Sequence, residues 1–362
     1  MKLPKLMPAT EFHKKPFDEG TLTKLQIFEL YAREWLPVFL APDRPPRPEI
    51  HLFDFFAGSG TDSAGELGSP LRLLRQLKEY QNLAGWSRVH VHVHFSDASP
   101  SKIKQLEANI DSQQLRLPTV NLDIQTLKFE DAIQRHAPTL ANRQAAKLVF
   151  IDQFGVVHVT PEVFRQLVNS PTCDFLFFIS SSTLHRFRDH PAIKQKITRP
   201  DDHYQVHQAA LDYYREFLPD TAGYFLAPFS IKKGANIYGL IFGSAHPLGM
   251  DKFLQVAWKK DAINGEADFD INRDNIAPGE LLLALDEFRP SKITAFEREL
   301  EHLLRTGRLK NELHVVQVCF NHGVKRQQAE NVLAKLKKER VIEADFRVPQ
   351  FNPKPPRPIK ML

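Results

Sequence analysis

The spacing of apolar residues changes period repeatedly along this chain, and the changes outline an architecture. Residues 20–40 (GTLTKLQIFELYAREWLPVFL) carry apolar side chains at helical spacing and predict an amphipathic helix, or two in succession. APDRPPRPEI then reads as a loop, because proline blocks both a helix interior and a central strand. A short apolar run at 51–56 predicts a buried strand, and Gly68-Ser69-Pro70 opens a helix with Ser69 as N-cap and Pro70 in the first turn. Strands at 88–95, 119–124, 147–151 and 175–179 alternate with helices at 100–109, 130–136 and 160–167. That alternation predicts an α/β chain with a doubly wound, mostly parallel sheet and helices on both faces. Runs at 224–231 and 236–243, joined by Lys232-Lys233-Gly234-Ala235, predict a hairpin at one edge and bring the sheet to seven strands. The polar, basic stretch 184–217 lies where such a fold carries a lid or substrate insertion. A helix at 249–258 and a loop at 266–278 close this domain.

After residue 280 the period changes again. Helices are predicted at 293–305, 313–320 and 325–340, with the turn Asn321-His322-Gly323 before the third and an extended segment at 341–348. Helix, helix, Gly-containing turn, helix and wing is the order of a winged helix-turn-helix. The organisation expected is therefore a helical segment and Pro-rich loop (1–50), a Rossmann-like domain (51–279), a winged helix domain (280–348) and a Pro-rich, disordered tail (349–362). No internal repeat is present.

Charge changes this picture mainly at the C-terminal end. The chain has 362 residues and a net charge of +5, yet from Pro290 onward 15 Lys/Arg face 8 Asp/Glu, so the remainder is close to neutral. A basic module on a near-neutral body points to an acidic partner, with DNA or RNA leading. Hydrophobic content of 42% supplies a full core and excludes a disordered chain. The two cysteines, far apart, fit neither a disulfide framework nor a zinc cluster, and a reducing cytoplasm is the expected compartment. No apolar run is long enough for a membrane span, and no signal peptide is evident.

Candidate chemistry gathers at the strand ends. FDFFAGSG (53–60) is an apolar strand breaking into Gly-Ser-Gly, the turn that lets backbone approach a nucleotide-type ligand. Asp97, ending the second strand, is placed to accept hydrogen bonds from ribose hydroxyls. Neither a full dinucleotide fingerprint nor a P-loop is present, so the phosphate cradle is missing. A ligand with a carboxylate, an amine and an adenosine but no phosphate fits, namely S-adenosylmethionine or S-adenosylhomocysteine. The expected cofactor residues are Asp54, Phe56, Ala57, Gly58, Ser59, Gly60 and Asp97, with Asp54 reaching the methionine amino group.

Asp152-Gln153-Phe154-Gly155 ends the fourth strand on the same edge. There Asp152 is placed to accept a hydrogen bond from a target amine, and Phe154 to stack on a base. His90, His92 and His94 share one side of a strand, but successive ones stand about 7 Å apart and no acidic ligand is evident beside them. They read as a polar sheet face, with no metal. Arg186 and Arg188 head a basic stretch suited to phosphates, and Lys325, Arg326, Lys335, Lys337 and Lys338 load the third C-terminal helix where a recognition helix touches nucleic acid.

Together FDFFAGSG, GSPLRLL, VFIDQFG, FLFFISSSTLHRF and IYGLIFGSAHPLGMDKFLQVAWKKD resemble the three-Cys-motif partner protein family, TcmP, across nearly the whole chain. The resemblance implies a bacterial protein with a methyltransferase-like Rossmann fold and a partner carrying a three-cysteine motif and resembling radical S-adenosylmethionine enzymes. Ser59 and Gln153 stand where that family more often has proline. The function expected is an S-adenosylmethionine-dependent methyltransferase-like protein acting on or bound to nucleic acid. The alternatives are a non-catalytic adaptor for DNA or a partner protein, and a nucleic-acid-cleaving enzyme using Asp54, Asp97 and Asp152.

Overall fold

A computed structural model describes residues 16–152, 158–180, 206–218, 224–233, 236–269, 291–351 and 355–362. Asp18 caps the first helix, α1 (Glu19–Leu40), through Thr21 N at 2.9 Å. One unbroken helix forms rather than two, and Pro37 near its end is absorbed by the last turn.

The sheet strands are β1 (Glu49–Asp54), β2 (His90–Asp97), β3 (Val120–Thr126), β4 (Ala145–Ile151), β5 (Cys173–Ser180), β6 (Phe225–Lys233) and β7 (Asn236–Ser244). Their order is β3-β2-β1-β4-β5-β7-β6. The first five are parallel, and β7 runs antiparallel between β5 and β6. The intervening helices are α2 (Ser69–Glu79), α3 (Pro100–Ser112), α4 (Phe129–Arg135), α5 (Ala137–Ala141), α6 (Pro161–Val168), α7 (Val206–Arg215) and α8 (Pro247–Lys260).

Alternation along each strand divides the core. Ile50, Leu52, Val93 and Phe150 face a cluster built from α1, α2, α3 and α8. Phe53, Phe55, Val149 and Phe177 face a second cluster built from α4, α5, α6 and α7. The central strands β4 and β5 are thus largely apolar on both faces, as a parallel sheet covered by helices requires, while β2 and β3 turn histidines and polar residues toward α4 and α5. The doubly wound, seven-stranded fold expected from the sequence is present.

Two local expectations shift. The N-cap of α2 is Gly68, with no side-chain cap bond, so Ser69 lies inside the first turn. The third C-terminal helix is broken: a 3-10 turn at Arg326–Ala329 precedes α11 (Glu330–Lys338). It follows α9 (Ser291–Arg305) and α10 (Glu312–Asn321).

The Pro-rich tail is corrected from disordered to docked over its described residues. β8 (Ile342–Ala344) pairs antiparallel with β9 (Ile359–Met361), and Ile359 is buried. Glu312, fully buried at the start of α10, holds that return. It accepts from Gln350 N at 2.9 Å, Arg357 N at 3.0 Å and the Arg357 guanidinium at 2.6 and 2.9 Å. Among the described residues, no helix is long and apolar enough to cross a membrane.

Candidate cofactor site at the carboxyl edge

The glycine turn leaves β1 and folds across the ends of β1 and β2. Gly58 and Gly60 have φ of 65° and 82°, a region that strains any other residue. Ala57 N donates to Ser96 O at 3.0 Å and Gly58 N to Asp97 Oδ2 at 3.2 Å, so the turn is hydrogen-bonded to the end of β2. At Gly60 a Cβ would stand 2.8 Å from Leu106 Cδ1, so this glycine also makes room for the core. Ser59 turns its hydroxyl to Thr61 O at 2.7 Å, and Asn109 Nδ2 grips Ser59 O at 2.8 Å. Phe56 stacks on Phe129 and Ala57 is buried.

Two carboxylates meet this turn. Asp97 accepts from Gly58 N and from Ser99 N at 2.9 Å, with Lys102 Nζ 3.6 Å from Oδ2. A carboxylate has about four lone-pair sites, so two remain for a ligand's hydroxyls. Asp54 has no exposed surface. Its Oδ1 accepts from Phe56 N at 3.1 Å, while Oδ2 makes no hydrogen bond. Burial pushes its carboxyl up to about 7, opposed by the Ser69 hydroxyl and the Phe56 N–H and reinforced by Asp152 and Asp97. A buried carboxylate oxygen with no partner fits a ligand ammonium, and free lone pairs on Asp97 fit a ribose. The residues present therefore suit S-adenosylmethionine.

Asp152 is not free. Lys24 of α1 reaches it at 2.5 and 2.6 Å, contacting both oxygens, and also lies over the Phe178 ring. The pair spans 128 positions, so sequence reading missed Lys24; its place on the inward stripe of α1 was the one available signal. Phe154, Arg186, Arg188 and most of the 184–217 insertion lie outside the described residues.

The basic C-terminal residues separate by environment. Arg326 is internal: its guanidinium pairs with Asp251 at 2.6 and 3.2 Å, donates to Pro349 O at 2.6 Å and covers the Phe351 ring. Its expected nucleic-acid role is corrected, because those donors are spent on the fold. Lys337 donates to Phe346 O at 2.5 Å, and Lys335 pairs with Glu301 at 3.0 Å. Lys325 is half-buried near the Trp258 ring, and Lys338 is exposed.

The histidines are not merely a polar face. His51 joins His92 and His94, and Glu49 and Asp123 supply the acidic neighbours that no single stretch of sequence displayed. A separate cavity of about 450 Å³ opens at the opposite end of the sheet, lined in part by Trp35, Arg47, Asp174, His246 and Lys252. It is remote from the glycine turn.

No protein-family model and no curated protein matches the chain. Similar solved structures include an S-adenosylmethionine-dependent methyltransferase from Agrobacterium tumefaciens, with a TM-score of 0.35 and 11% identity, covering 63% of this chain and 62% of that one. An O-methyltransferase from Bacillus cereus in complex with S-adenosylhomocysteine gives 0.35 and 15%, covering 65% of this chain and 83% of that one. An rRNA methylase from Streptococcus thermophilus gives 0.34 and 10%, covering 60% and 92%. At such scores the likeness adds nothing about chemistry, which rests on this chain's own residues. The fold itself is a doubly wound, seven-stranded sheet, with its one antiparallel strand seated between the fifth and sixth.

Proposed function

We propose that the chain binds S-adenosylmethionine at the carboxyl edge and is a methyltransferase-like protein acting on, or bound to, nucleic acid. The observation that carries this reading is the buried, unpartnered Oδ2 of Asp54 beside a glycine turn tied to Asp97. Asp54 would take the ligand's ammonium and Asp97 its ribose hydroxyls. The bound cofactor would supply an electrophilic methyl group; the chain's part is to align an acceptor with it. The nucleic-acid half rests on the basic C-terminal module, where Lys338 is exposed and Lys325 partly so.

Titration calorimetry of the full chain with S-adenosylmethionine tests the first half. Binding is expected, and no heat at millimolar ligand would sink the reading. Gly58→Val should abolish binding by forcing a branched side chain into a left-handed turn. Asp97→Ala should weaken it about tenfold, the worth of one hydrogen bond to a charged group.

One observation favours a second reading, a non-catalytic adaptor. Lys24 occupies both oxygens of Asp152, the group that would otherwise receive a target amine. Methyl transfer to total RNA or DNA that rises in Lys24→Ala would identify Lys24 as a gate on a catalytic Asp152. Cofactor binding with no transfer in either protein would favour the adaptor.

A further inference from the structure

On the face of the sheet covered by α4 and α5, strand register gathers imidazoles and carboxylates from distant segments. His51 on β1 lies beside His92 on β2, and His94 on β2 lies beside Asp123 on β3. His136, at the corner between α4 and α5, places its ring 4.6 Å from that of His94. The ligand atoms of His94, Asp123 and His136 all fall within 4.8 Å of one another, and those of Glu49, His51 and His92 form a second such group.

Three details separate this from an ordinary hydrogen-bonded cluster. First, His94 Nδ1 is buried with no hydrogen bond, and Asp123 Oδ2 stands 3.6 Å from it. That is too long for a hydrogen bond. It is close to the separation of about 3.4 Å between two ligands that each lie about 2.1 Å from one tetrahedral ion. Second, the other oxygen of Asp123 is already held by Gln125 Nε2 at 2.6 Å, which orients the carboxylate and leaves Oδ2 for a ligand. Third, the remaining nitrogen of His94, Nε2, lies 3.0 Å from His51 Nδ1, so His94 has a partner for the proton that an Nδ1-bound imidazole must carry on its far side.

We propose that His94 Nδ1, Asp123 Oδ2 and the His136 imidazole bind one divalent transition-metal ion of the zinc type, with Gln125 and His51 holding the ligands in place. Two imidazoles and one carboxylate suit zinc, cobalt or nickel and disfavour calcium and magnesium, which take oxygen ligands. Three protein ligands leave the fourth position to solvent, and the side chain of Asp123 is 26% exposed, giving access. His94 lies three residues before Asp97, roughly 10 Å along the strand and on the other face. The ion therefore ties β2, β3 and the α4–α5 corner together and is not part of the carboxyl-edge chemistry.

The 3.0 Å contact also sets the stoichiometry. With metal on His94 Nδ1, the proton sits on Nε2 and is donated to His51 Nδ1. His51 must then carry its own proton on Nε2, the atom 3.6 Å from Glu49 Oε2. An Nε2–H cannot ligate, so filling the first site closes the second group.

Equilibrium dialysis of chelator-stripped full-length protein against zinc, with metal analysis, is the direct test. One zinc per chain is expected, with cobalt giving the visible bands of a low-coordinate ion, and calcium and magnesium not retained. Asp123→Asn with His94→Gln should remove the ion and the zinc-induced rise in melting temperature. Gln125→Ala should weaken zinc about tenfold, and His92→Gln should leave it unchanged. Circular dichroism checks that each variant is folded. Should the double variant fail to fold, the Gln125 and His92 variants and the wild-type stoichiometry still decide. No zinc retained by wild type, undiminished zinc in the folded double variant, or two zinc ions per chain would each overturn the proposal.

Discussion

Asp54 concentrates the residue-scale argument. Its carboxyl is lifted to about 7 mainly by burial, so near neutrality it is partly protonated. A ligand ammonium pairs with the ionised form, which predominates above pH 7. Affinity for S-adenosylmethionine should therefore rise roughly fivefold from pH 6 to about pH 7.5 as Asp54 ionises, and fall again above about pH 8 as the ligand's own ammonium loses its proton. Asp54→Asn should bind more weakly and flatten that profile. Calorimetric dissociation constants across the range check this, and an unchanged slope in the variant would assign the pH dependence elsewhere. The same residue shows why the sequence was legible here: an apolar run followed by Gly-Ser-Gly has few structural outcomes, and Asp54 sits on it. Gly60 shows the limit. A glycine required by Leu106 and a glycine required by a ligand look alike in sequence, because the colliding atom belongs to a segment 46 positions away.

Strands and helices carried strong local signals, because β1, β4 and β5 are apolar runs, β2 alternates with period two, and most helices carry an apolar stripe. What sequence could not display was pairing across long separations. Lys24 meets Asp152 only because α1 is laid along the sheet, and His51 meets His94 only through the β1–β2 register. The tail failed for another reason. Its prolines and charges match a disordered composition, yet the partner that orders it is a buried glutamate on α10. Glu312 answers four donors of the returning chain, so removing it leaves the Gln350 and Arg357 N–H groups without their acceptor, leaves the Arg357 guanidinium only Asp345 O, and frees β9. Glu312→Ala should cost about 3 kcal/mol, in the range for breaking an ion pair with one buried partner. It should also expose the tail to limited proteolysis near residue 355 before the rest of the chain is cut. Protease resistance equal to wild type would show that the β8–β9 pairing holds the tail without it.

At the scale of the whole molecule, the C-terminal module is joined to the sheet domain by its core and not only by its chain. One continuous apolar cluster runs from α1 and the sheet through α8 into α9, α10 and α11. Trp258 Nε1 on α8 donates to Gly323 O at 3.0 Å, Lys292 pairs with Glu266 at 2.7 Å, and Phe225 meets Phe320 edge to face. Arg326 is the centre of this seam, since Asp251 on α8 is buried and receives its guanidinium through two nitrogens. Removing the arginine leaves a carboxylate desolvated and unpaired, so Arg326→Ala should cost about 3–5 kcal/mol, a large share of the roughly 5–15 kcal/mol that stabilises a typical protein. Arg326→Lys should recover only part, because one ammonium cannot reproduce the two-pronged contact. Replacing both partners, Arg326→Met with Asp251→Leu, should recover most of the loss, as apolar replacement of a buried pair usually does. Denaturant midpoints of the four proteins measure the coupling directly. A cost below about 1 kcal/mol for Arg326→Ala would mean that the seam is held by its apolar contacts alone. The same series separates fold from recognition: if the module binds nucleic acid, Lys338→Glu should weaken binding and reduce its salt dependence while leaving the midpoint unchanged. Arg326→Lys should move the midpoint and leave the salt dependence as it was, because its guanidinium faces Asp251 and not solvent.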